Sequence, residues 1–138
     1  MTTKESLKEI RHLDMELQSI MEQIHRLECE AQGLQAMKLS DMPKGGKGLD
    51  PAGMMAEAMD LQHKYAEQWA ILNQKRKVAE TNINLMEMPE QRAVLRYRYL
   101  ANKSWADIAT LLGYEERTVY RIHGKALLSY DKVVSKCQ

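Results

Sequence analysis

The chain has no phenylalanine, and in 138 residues it holds only two cysteines, three prolines and seven glycines. Aromatic side chains make up 6% of it, so its 44% hydrophobic content points to an extended aliphatic core of helices rather than a large globule. Prolines stand only at positions 43, 51 and 89, which leaves room for long uninterrupted helices. Cys29 and Cys137 fall on different modules, which argues against a disulfide framework and for reduced thiols. No apolar run approaches a membrane span, and the opening MTTKESLKEIRHLD lacks the apolar stretch of a secretion signal. A soluble, cytoplasmic protein is expected.

Catalytic signatures are missing as well. His12, His25, His63 and His123 are scattered, with no Ser/His/Asp arrangement and no paired carboxylates in a context that organises them, so an enzyme is not expected. KGGKG around Lys44 lacks the following Ser or Thr of a phosphate loop and reads as a connector. His25 and Cys29 share a helical face and offer two zinc ligands, but no further pair has a recognisable spacing. No metal or cofactor is expected.

What is present is helical periodicity. Ile10, Leu13, Leu17, Ile20, Ile24, Leu27, Ala31 and Leu34 alternate spacings of three and four, the seam of a coiled coil. The spacing predicts a helix from about residue 4 to about 39, roughly 54 Å long and in need of a partner along its seam. SDMPKGGKGLDP, residues 40–51, must be a loop. A second helix follows, with Ala58, Tyr65, Leu72, Ala79 and Met86 every seven residues and Met54, Leu61, Trp69 and Ile83 beside them, until Met88-Pro89 stops it. The two segments match in length, and an antiparallel helical hairpin over residues 1–88 is the economical solution. The same seams, with Leu61, Tyr65, Trp69 and Leu72 from the second helix, can also pair between chains, so a homo-oligomer is expected, a dimer first.

Residues 89–138 read as a tri-helical head. Pro89 opens a helix to about 101, with Val94, Leu95, Tyr99 and Leu100 facing inward. Ser104 caps the next helix, with Asp107 three residues on and Ile108, Ala109, Leu111 and Leu112 along one side. Gly113 supplies the positive φ of a sharp corner, and Val119, Ile122, Ala126 and Leu127 then recur at helical spacing. This is the pattern of a helix-turn-helix. Its second helix turns Arg117, Thr118, Tyr120, Arg121 and Lys125 away from the apolar side, where arginine forks can read guanine and lysine can meet phosphate. Lys103 precedes the cap as a phosphate contact; Arg98 is expected to brace the helices through Asp107, and Arg92 and Arg96 to be solvated. Charge follows the same division: residues 89–138 carry nine Lys/Arg against five Asp/Glu, a net of +4 that leaves −3 on residues 1–88.

Residues 88–131, MPEQRAVLRYRYLANKSWADIATLLGYEERTVYRIHGKALLSYD, resemble region 4 of bacterial sigma factors over about a third of the chain. The RIHGKAL ending and the long helical N-terminal part resemble more closely the phage late-transcription regulators of the ArpU and RinA type. The resemblance implies an activator that binds double-stranded DNA upstream of phage late genes, in the host nucleoid, and recruits host RNA polymerase. It also implies phosphate contacts at Ser104 and Trp105 and groove contacts from Arg117, Thr118, Arg121 and Lys125. Glu115 and Glu116 depart from the family pattern of Ser followed by a polar or basic residue, and acids there repel phosphate. Two other readings stand beside it: a small terminase-like DNA-packaging recognition subunit, and a coiled-coil interaction module without DNA binding.

Overall fold

The computed structural model describes residues 2–38 and 50–137, and the loop expected over 40–51 lies almost wholly outside them. Every regular element among the described residues is helical: α1 (Thr3–Lys38), α2 (Pro51–Asn84), α3 (Pro89–Leu95), a π-helical turn (Arg96–Leu100), α4 (Trp105–Leu112) and α5 (Glu116–Lys136). No helix among these residues is long and apolar enough to cross a membrane. Two compact units divide them, one of residues 2–14 and 71–137, the other of 15–38 and 50–70. Pro89 starts a helix, but packing within the first unit runs across it.

In the second unit the seam positions Leu17, Ile20, Leu27 and Ala31 of α1 and Ala58 of α2 are buried. Ile24, Leu34, Leu61 and Tyr65 are half-buried, and Trp69 is 48% exposed. Gln62 Nε2 donates to Glu28 Oε1 at 2.7 Å, joining the two helices where their polar flanks meet. α2 starts where proline is tolerated, at its first position, and the Asp50 carboxylate accepts from the Ala52 N–H at 3.1 Å.

In the first unit Leu7 and Ile10 of α1 and Leu72, Ala79, Ile83 and Met86 are buried, and Leu13 is half-buried. α2 ends at Asn84, short of the expected Met88-Pro89 stop. Its last turn closes through Leu85 N–H to Asn82 O at 3.2 Å and Met86 N–H to Ile83 O at 3.0 Å. Arg92, expected in solvent, instead donates through Nη1 to Met86 O at 2.6 Å and Glu87 O at 3.1 Å, and Arg96 reaches the Asn84 side chain. The freed carbonyls after a helix end need donors, and the next helix supplies them from a full turn away. Val94, Ile108, Ala109, Val119 and Ile122 form the centre of the three C-terminal helices, with Tyr97, Trp105 and Leu112 packed against them. Leu111 points out at 54% exposure although its spacing suggested the apolar side.

Both local signals at the corner are realised. Ser104 Oγ accepts from the Asp107 N–H at 3.1 Å, and Gly113 adopts φ 73° as α4 ends, with Tyr114 N–H returning to Ala109 O at 2.9 Å. Nothing lies within 4 Å of a Cβ built at Gly113 or at Gly33, so backbone conformation alone decides both substitutions. Gly113→Ala should lower stability by about 1–2 kcal/mol because its φ is positive, whereas Gly33→Ala inside α1 should raise it by about 0.5–1 kcal/mol. Thermal unfolding of the two variants checks the opposite signs.

Candidate nucleic-acid interface

The rotation of α5 about its own axis is set by what it buries. Val119, Ile122, His123, Ala126 and Tyr130 lie on its inner side. Tyr130 receives a hydrogen bond from Asn82 Nδ2 at 3.3 Å, so α5 is held along its length. Arg117, Tyr120, Arg121 and Lys125 are consequently exposed and Thr118 is half-buried, as the helical spacing required. Glu115 sits at the N-cap without a side-chain cap hydrogen bond, and Glu116 opens the helix exposed. Beside the outer face lies a hollow of about 310 Å³, with Thr118, Arg121 and Lys125 on one wall and Met88, Glu90 and Gln91 on the other. Tyr114 Oη donates to Glu90 Oε1 at 2.5 Å, fastening the corner to α3.

Lys103 and Ser104 are exposed on the short segment before α4. Asn102 precedes them at φ 56°, a left-handed conformation that asparagine tolerates, and its Nδ2 donates to Asp14 Oδ2 at 3.1 Å. Ser104 Oγ accepts in the cap, which uses one lone pair and leaves its O–H uncommitted by that bond. Trp105 is placed differently from a simple surface contact: it is half-buried, with Tyr120 at 5.1 Å and His123 edge-on at 4.6 Å between ring centroids. Its ring therefore links α4 to α5.

Arg98 braces the helices, but not through Asp107. Its guanidinium lies 4.1 Å above the Trp105 ring and donates to Lys103 O at 3.1 Å. Arg11 of α1 donates to the same carbonyl at 3.2 Å and to Arg98 O at 3.3 Å. The π-helical turn that carries Arg98 ends with Ala101 N–H bonded to Arg96 O at 2.8 Å, the wider i to i+5 closure. Neither the turn nor the Arg11 contact has a local sequence signal.

His123 carries no sequence signal of its place in the fold. It is buried and shares a 2.7 Å hydrogen bond between Nε2 and Tyr99 Oη. Burial, then Lys4, Arg98 and Lys8, push its pKa down to about 4, so it is neutral near pH 7. Elsewhere, His25 Nε2 and Cys29 Sγ meet at 3.6 Å, but among the described residues no group of three His, Cys, Asp or Glu gathers for a metal.

The sign of the His123 effect follows from its lowered value. The unfolded chain binds the proton more tightly than the fold, so stability should be full above about pH 6.5 and fall as pH drops toward about 4, by up to about 3 kcal/mol. Urea unfolding between pH 7 and pH 4 checks this, and His123→Gln should flatten the His-dependent part of the profile. Comparison with protein-family models, curated proteins and solved structures finds no match, so the functional reading of this face rests on its own geometry.

Proposed function

We propose that the chain is a sequence-specific DNA-binding transcriptional regulator, acting on phage late genes. In this reading residues 89–138 form a helix-turn-helix head whose α5 enters the major groove of promoter DNA. The observation that carries it is the joint exposure of Arg117, Arg121 and Lys125 on a helix whose opposite side is fixed in a core. Two guanidiniums one turn apart suit hydrogen bonding to guanine edges, while Lys125 and the hydroxyl of Ser104 suit phosphate. Thr118 and Tyr120 flank them as hydroxyl-bearing contacts.

The late-gene role and recruitment of host RNA polymerase rest on the resemblance to sigma region 4 and to the ArpU and RinA type. The long helices form an antiparallel hairpin and assemble the heads into a homo-oligomer, a dimer first, that reads two half-sites. Much of the α1 seam is already covered inside one chain, which leaves the exposed Trp69, Ile71 and Val78 of α2 for contact with a second copy.

Selection of bound duplexes from a genomic pool tests the reading. Enrichment of a defined site beside late promoters is expected; recovery of a packaging site favours the terminase-like alternative, and no enrichment contradicts duplex recognition. Arg121→Ala should weaken binding to the selected site by about 1–3 kcal/mol and relax its sequence preference, measured by fluorescence anisotropy.

A further inference from the structure

A second cleft opens on the other flank of α5, with a volume of about 390 Å³ and walls that include Lys4, Lys8 and Arg11 of α1, Arg98, Trp105 and Tyr120. Positions 4, 8 and 11 recur at helical spacing, so α1 presents three cations to it along one side. Arg11 and Arg98 meet on a single acceptor, the Lys103 carbonyl, a dipole that does not neutralise them. Two of the acidic residues of this stretch of α1, Glu9 and Asp14, are committed to other partners, and the pKa of the third, Glu5, is held below its ordinary value first by its Thr2 hydrogen bonds and only last by Lys8. Glu9 pairs with Lys75 at 3.4 Å, Asp14 with Arg76 at 2.7 Å, and the Glu5 carboxylate accepts from the Thr2 N–H at 2.9 Å. Among the described residues no carboxylate forms an ion pair with Lys4, Lys8, Arg11 or Arg98. The cleft is thus a concentration of like charge facing solvent, closed on one side by the aromatic pair Trp105 and Tyr120.

We infer that this cleft is a clamp for the phosphodiester backbone of duplex DNA, with Lys4 and Lys8 of α1 as phosphate ligands in addition to those of the C-terminal helices. The inference rests on the duplex-binding reading of α5 and extends that interface to the opposite end of the sequence. Tyr120 lies both on the outer face of α5 and in the cleft wall, and Trp105 stands at the first turn of α4, the helix that crosses the backbone when its neighbour occupies the groove. A strand passing the N-terminus of α4 therefore meets the cleft next. Lys4 and Lys8 are exposed, so they supply charge without supporting the core. Arg11 and Arg98 hold the Lys103 carbonyl and keep the preceding loop in place.

The test compares the full chain with the Lys4→Gln/Lys8→Gln double variant on the selected duplex and on an unrelated duplex, across a range of salt concentrations. The double variant should lose roughly ten-fold or more in affinity for both duplexes, keep the ratio between them, and show a slope of log K against log salt reduced by about 2, about one per lysine. An unchanged far-UV melt verifies that the fold is intact. Wild-type affinity and slope in the double variant, alongside lost site preference in Arg121→Ala, overturn the clamp and leave the α5 reading standing. Failure of the wild-type chain to bind either duplex at low salt overturns both. Inorganic phosphate or a mononucleotide quenching the Trp105 fluorescence of a Trp69→Phe background, in a way that depends on Lys4 and Lys8 and is not competed by duplex, overturns the clamp in favour of a small-anion pocket.

Discussion

Burial of one side of α5 is the constraint on which the remaining geometry depends. Val119 and Ile122 join Val94, Ile108 and Ala109 in an apolar centre, Ala126 is buried on the same side of α5, and Tyr130 extends the contact to α2. Removing these side chains from water is worth on the order of 2 kcal/mol for each large one, and a helix cannot rotate without giving up several at once. The outward direction of Arg117, Arg121 and Lys125 is therefore a consequence of the core and needs no contact of its own. His123 is the polar member of the buried row, kept neutral and bonded to Tyr99, so its ring packs against Trp105 instead of carrying charge into the interior.

Around this core, charged groups divide according to what they touch. Arg92 and Arg96 are drawn to the carbonyl and amide groups left at the end of α2, and Arg98 to the Trp105 face and the Lys103 carbonyl. These three arginines position helices. Those of α5 remain on the surface, with no hydrogen bond or ion pair of comparable kind among the described residues. The same sorting leaves Lys4 and Lys8 facing the cleft while Glu9 and Asp14, from the same helix, pair with Lys75 and Arg76. Net charge alone, +1 over the chain, conceals both concentrations.

The features legible in the sequence are those encoded within a few residues. The Ser104 cap, the Gly113 corner and the three-four spacing of α1 each depend on local chemistry, and the structure carries all three. Met86 continues the heptad spacing and so suggests a later end to α2; it is buried, but by the turn after Asn84 and not by a continued helix. Leu111 fits an apolar stripe by residue type, yet α4 buries only Ile108 and Ala109, with Leu112 half-buried, and Leu111 lies outside that side. Spacing points Arg98 to Asp107, whereas it stacks on Trp105 from the π-helical turn, which shifts register without a sequence mark. The cleft has no sequence signal for a simpler reason: Arg11 bonds residues 87 and 92 positions away, Lys4 and Lys8 share the cleft with Arg98, Trp105 and Tyr120, and no spacing rule reaches that far.

The most direct measurement of the central claim is NMR shift mapping of the full chain titrated with its selected duplex. Backbone amides of residues 117–125 and the guanidinium signals of Arg117 and Arg121 should change most, with the Val119, Ile122 and Ala126 methyls nearly unmoved. Perturbations confined to residues 15–70, or spread through those core methyls while both guanidiniums stay unchanged, would contradict it.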